Sequence, residues 1–131
     1  MDQNATTDLA GLRLLLVEDE YLIAQFLAEI VQEMGAEVLG PVASVDDALE
    51  LIADCPDIDA AILDVNLRGE VVYPVADVLI DRRVPLVFTS GYGRDALPTR
   101  YGDIDLFTKP VCPSVVTAAL AGLRRDAARL H

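Results

Sequence analysis

The chain has 131 residues, 53% of them hydrophobic, enough for one core and too few for two full domains. Its 22 acidic residues against 10 basic leave a net charge of −12, which argues against a nucleic-acid partner because the protein lacks the cationic excess that a phosphate backbone demands. Carboxylates gathered at one point would instead suit a hard divalent cation.

Met1 to Ala10 carries acids where a signal peptide has basic residues, and the first apolar run, Leu12 to Val17, is too short for a signal core or a membrane span. A cytoplasmic protein without membrane association is therefore expected, with residues 1–10 a flexible lead and 11–131 the folded domain. Cys55 and Cys112 lie far apart, and His131 is the single histidine, so two reduced cysteines are expected rather than a disulfide or a zinc site.

In chain order, Leu12–Val17 reads as a buried strand. Leu22, Ile23, Phe26, Leu27, Ile30, Val31 and Met34 then repeat at three and four, predicting a helix closed by Gly35. Ala36 to Gly40 predicts a second strand ended by Pro41. Ser44 followed by Asp47 opens a second helix, buried through Val45, Ala48, Leu49 and Ile52. Asp59–Asp64 is a third strand, and Arg68-Gly69-Glu70 turns into a helix faced by Val72, Val75, Ala76, Leu79 and Ile80, with Pro74 tolerated in its first turn.

Pro85–Ser90 predicts a fourth strand and Ile104–Thr108 a fifth. Between them two glycines and a proline predict a fourth helix that is short or irregular. Pro113 and Ser114 start a last helix whose inner face uses Val115, Val116, Ala119, Leu120 and Leu123. The alternation predicts an α/β fold, a doubly wound (βα)5 parallel sheet of flavodoxin-like order 2-1-3-4-5. Ligands of such sheets bind beyond the carboxyl ends of the strands.

Those ends carry Glu18-Asp19-Glu20, Asp64, Ser90 and Lys109-Pro110. Carboxylates brought together repel unless a cation sits among them, and oxygen ligands favour Mg²⁺. Asp64 is suited to attack a phosphoryl group, Lys109 to neutralise charge on its oxygens and Ser90 to hydrogen-bond one of them. Glu20 reads instead as a helix-start acid and is left out of the site.

This series resembles the response-regulator receiver domains of two-component signalling, from Leu12 to about Arg125. The resemblance implies that Asp64 is the phosphoacceptor and Asp19 a direct Mg²⁺ ligand. Glu18 would act through water, and Asn66 would offer its backbone carbonyl. It gives Ser90 the switch hydroxyl, Gly91 the small residue after it, and Lys109-Pro110 the lysine with its proline, in a peptide bond usually cis. The run Val87 to Gly93 further resembles the FATGUY subgroup of stand-alone receivers.

Two positions depart from the pattern. The first acid is Glu18 where aspartate is usual. Leu106 stands where an aromatic is usual, and Phe107 is one residue out of phase, so Tyr92 is the candidate replacement for the aromatic switch.

The implied function is a monomeric signalling switch rather than a metabolic enzyme. It would take a phosphoryl group from a histidine kinase or a histidine phosphotransfer protein and act on a protein target. A phosphate sink or shuttle in a phosphorelay is the alternative. A haloacid-dehalogenase-type phosphohydrolase would want an aspartate at position 66, and the intact Asp19, Asp64, Ser90 and Lys109 argue against a non-phosphorylated pseudo-receiver.

Overall fold

The computed structural model describes residues 9–130 of the protein. The expected flexible lead falls mostly outside that range. Leu9, inside it, is fully buried, and its amide donates to the Met34 carbonyl at 2.8 Å, so ordered packing reaches back at least that far.

The main elements are β1 (Arg13–Val17), α1 (Tyr21–Glu33), β2 (Glu37–Val42), α2 (Val45–Asp54) and β3 (Ala60–Asp64), followed by two-residue strands β4 (Asn66–Leu67) and β5 (Glu70–Val71). Then come α3 (Tyr73–Asp81), β6 (Leu86–Ser90), β7 (Leu106–Thr108) and α4 (Pro113–Leu130). The large sheet is parallel in the order β2-β1-β3-β6-β7, the doubly wound order expected for five strands. The extra pair β4-β5 is a small antiparallel hairpin inserted after β3.

Alternation along the strands divides the core. Leu14, Leu16, Ala60, Ile62, Val87 and Phe107 face α1 and α4, while Leu15, Val17, Ala61, Leu63 and Phe88 face α2 and α3. The caps match their residues. The Ser44 hydroxyl accepts from the Asp47 amide at 3.1 Å. At the end of α1, Gly35 takes φ +97° and the Gly35 and Ala36 amides donate to Gln32 and Val31, a Schellman closure.

Three local expectations are corrected and one is met. The second strand runs through Pro41 to Val42, because an edge strand with a bulge opposite Leu15–Val17 does not need the missing amide. Leu22 is 77% exposed, and Val115 and Ile80 are also exposed. Leu22 and Val115 sit in first turns beyond the sheet's reach, and Ile80 lies at the margin of the α3 stripe. The fifth strand shortens to Leu106–Thr108. Between β6 and β7 the chain makes only two 3₁₀ turns, Arg94–Ala96 and Thr99–Tyr101, as the glycines and proline there predict.

Candidate functional site

At the carboxyl end of β1 the Glu18 amide donates to the Val42 carbonyl at 2.9 Å, which turns the Glu18 side chain into a buried position. Asp19 follows with its side chain 10% exposed, and Glu20 occupies the N-cap of α1, its amide donating to Glu18 Oε2 at 3.2 Å. Asp64, the last residue of β3, is buried and accepts from the Asn66 amide at 3.2 Å. One carboxylate oxygen from each of Glu18, Asp19 and Asp64 lies within 4.8 Å of the others.

Lys109 reaches this cluster from the end of β7. Its backbone amide donates to the Ser90 carbonyl at 2.7 Å, and the peptide bond to Pro110 is cis. The ammonium Nζ lies 3.0 Å from Asp64 Oδ2, 3.2 Å from Glu18 Oε2 and 3.3 Å from Glu20 Oε1. Glu20 thus joins the group from which helix-start preference had excluded it. Three acids in succession at a strand end were the available signal.

Burial raises the Glu18 pKa to about 7, with the neighbouring Asp64 adding to the effect. Burial also raises that of Asp64, against the opposing hydrogen bonds from Glu18 and Lys109. The two carboxyls compete for one proton. For Lys109, burial works to lower the pKa, but the hydrogen bond to Asp64 and the Glu18 charge outweigh it, so the ammonium stays charged. Glu18 Oε1 remains buried with no hydrogen-bond partner. An unpartnered carboxylate oxygen among three acids is what a hard, oxygen-seeking cation would satisfy, so the donor set fits Mg²⁺.

The other expected residues surround this centre. Ser90 ends β6, buried, and its Oγ accepts from the Tyr92 amide at 3.0 Å. Gly91 has open space where a Cβ would stand. Tyr92 is 68% exposed, and the buried aromatic of this region is Tyr101, a residue sequence reasoning did not single out. Its ring stacks 5.1 Å from Tyr73 and lies edge-on 5.4 Å from Phe88, with Leu106 packed against the same cluster. Asn66 exposes its side chain, whose Oδ1 accepts from the Gly69 amide at 2.7 Å and so closes the β4-β5 turn. Arg68, also not anticipated, places Nε 3.5 Å from Asp19 Oδ2.

Comparison with known proteins follows the same lines. No protein-family model matches the chain. The solution structure of SdrG from Sphingomonas melonis Fr1 is 41% identical, covers 86% of this chain and 96% of its own, and superposes with a TM-score of 0.76. The chain is a response-regulator receiver domain. A second structure of SdrG, in its BeF3-activated conformation, matches the receiver at 40% identity over 87% of this chain and 98% of its own, with a TM-score of 0.71. Among curated relatives, the transcriptional regulatory protein PdtaR of Mycobacterium tuberculosis is 27% identical over 120 residues, 91% of this chain. The receiver spans 58% of the length of that relative. No described helix is long and apolar enough to cross a membrane.

Proposed function

We propose that this receiver is a phosphorylation switch whose acceptor is Asp64. The observation that carries the reading is the position of the Lys109 ammonium, 3.0 Å from the Asp64 carboxylate and beside a three-carboxylate cluster with an unpartnered Glu18 oxygen. Asp19, Asp64 and the Asn66 backbone carbonyl would hold Mg²⁺ directly and Glu18 through water. Mg²⁺, when bound, supplies charge neutralisation between the acceptor carboxylate and the incoming phosphoryl oxygens.

The chain's own residues supply the rest. An Asp64 oxygen forms the new bond to phosphorus as the bond from phosphorus to the donor's histidine nitrogen breaks, and the nitrogen keeps that electron pair. Lys109, charged despite its burial, offsets negative charge on the transferred group. The Ser90 hydroxyl, now bound to the Tyr92 amide, would turn to a phosphoryl oxygen and draw the following loop, including Gly91 and Tyr92, with it. The SdrG structure in a BeF3-activated conformation supports the reading, because trifluoroberyllate imitates a phosphoryl group in shape and charge.

The donor in this proposal is a histidine kinase or a histidine phosphotransfer protein. The receiver is cytoplasmic and monomeric, belongs to the FATGUY-like group, takes in Leu9 in addition to the expected residues 11–131 and signals through a protein target.

Intact mass after incubation with acetyl phosphate tests the acceptor. Wild type with Mg²⁺ should gain one phosphoryl group, whereas Asp64→Asn, or wild type in EDTA, should gain none. Equal labelling of Asp64→Asn would remove Asp64 as the acceptor.

A further inference from the structure

The acid pocket is balanced by two cations among the described residues, and they differ in kind. Lys109 is held inside, its side chain 15% exposed, against Glu18 and Asp64. Arg68 is 80% exposed and comes over the rim to Asp19, whose own side chain is 10% exposed. The nearly buried partner is fixed and the arginine is the one free to leave.

The backbone at Arg68 makes its presence notable. Arg68 and Gly69 are the two turn residues between β4 and β5, with φ of +55° and +93°. A two-residue turn with both φ values positive favours asparagine or glycine at its first position, and a long side chain there is strained. The hairpin is fastened independently of the arginine, by Asn66 Oδ1 on the Gly69 amide and by Glu70 Oε1, 3.4 Å from the Val45 amide that donates to it. The turn therefore does not need Arg68, and a residue kept in a disfavoured backbone state is grounds for assigning it a role.

We propose that Arg68 is a displaceable counter-ion of the acid pocket, paired with Asp19 while no divalent cation is bound and expelled to solvent when Mg²⁺ takes that carboxylate. The inference rests on the reading that the pocket binds Mg²⁺. A guanidinium and a divalent ion on one carboxylate repel each other, and the arginine gives up only a solvent-screened ion pair. The pairing thus raises the Mg²⁺ concentration at which the site fills. Arg68 is a positioning residue in this scheme, acting on the metal site through Asp19.

The test compares Mg²⁺ dissociation constants, by calorimetric titration, for wild type, Arg68→Asn and Arg68→Lys. In the wild type the Arg68 Nε–Hε resonance is followed through the same titration by NMR. Asparagine suits the turn, so Arg68→Asn should melt at or above the wild-type temperature, and a fold defect would not obscure the result. It should bind Mg²⁺ about two- to fivefold more tightly, the range an exposed ion pair allows, and the difference should shrink in high salt. Arg68→Lys should remain close to wild type, and the arginine resonance should move with the midpoint of Mg²⁺ binding. Unchanged or weaker binding by Arg68→Asn, or a resonance indifferent to Mg²⁺, would overturn the proposal while leaving the metal site intact. Absence of Mg²⁺ binding by the wild type would overturn both.

Discussion

The acid pocket and the β6–β7 connection both lie at the carboxyl ends of the sheet strands and are built in opposite ways. In the pocket, Glu18, Asp64 and Lys109 are set close together, and the raised pKa values of both acids record the cost of burial that Lys109 only partly offsets. In the connection, Tyr101 leaves little unsatisfied. Its ring meets Tyr73 and Phe88, and its hydroxyl bonds to Asp77 at 2.5 Å and to Arg100 at 2.7 Å. Phe88 precedes Thr89 and Ser90 on β6, so the favourable packing supports the strand that delivers the switch hydroxyl. The receiver keeps its instability at the chemistry and its cohesion one step away.

The largest effect expected from breaking this division is in the connection. Tyr101→Ala should cost about 3–5 kcal/mol, as removal of a buried ring does, read as a lower urea midpoint. Asp64→Asn, in the pocket, should leave the midpoint level or raise it, because it removes a carboxylate whose charge is disfavoured by burial. A destabilised Asp64→Asn with an unaffected Tyr101→Ala would invert the comparison.

Next in size is Lys109→Ala, for which the rate of labelling by acetyl phosphate should fall about 10²-fold, the usual loss when one preorganised charge is removed from a transfer site. Mass spectrometry over time gives the rate, and a fall of less than threefold would take Lys109 out of the chemistry.

The two regions were also unequally legible. Asp19, Asp64, Ser90 and Lys109 fall at strand ends that apolar runs and glycine or proline turns mark plainly, so their convergence follows once the strand order is known. The irregular β6–β7 connection was legible for the same reason. Tyr101 was not, because it sits in a 3₁₀ turn among Thr99, Arg100 and Gly102, where no periodicity signals burial, and only the tertiary space beside Leu106 decides it. The β4-β5 hairpin escaped because two residues per strand carry no alternation, so the turn at Arg68-Gly69 reads as the entry to a helix rather than as a hairpin. The pairs Arg68–Asp19 and Lys109–Glu20 join residues 49 and 89 positions apart, which spacing alone does not connect.

A smaller effect concerns protons. Glu18, ordinarily near 4.5, titrates near 7 in the metal-free fold, so between those values the native protein holds a proton that the unfolded chain releases. The native state then binds more protons than the unfolded one, and stability falls as pH rises through this window. In EDTA the melting temperature should decline from pH 4.5 to 7, and Glu18→Gln should flatten that decline. Mg²⁺ must displace the same proton, so below pH 7 its affinity should weaken by up to about tenfold per pH unit. A pH-independent Mg²⁺ affinity between 5.5 and 7 would show that the carboxyls are already ionised.

The smallest effect separates the ring of Tyr101 from its hydroxyl. Burial and the Asp77 hydrogen bond push the phenol pKa up to about 12, so the hydroxyl remains a donor at any pH at which the receiver works. Tyr101→Phe keeps the stacking on Tyr73 and Phe88 and should cost only about 1 kcal/mol, the net worth of a hydrogen bond exchanged with water. Its signature is alkaline. From about pH 10, where an unfolded tyrosine ionises, to 12, the wild-type native state retains a proton that the unfolded chain loses, and its stability falls with rising pH. Tyr101→Phe should lose that part of the slope. If it instead costs as much as Tyr101→Ala, the connection is held by the Asp77–Tyr101–Arg100 bonds and its aromatic packing is secondary.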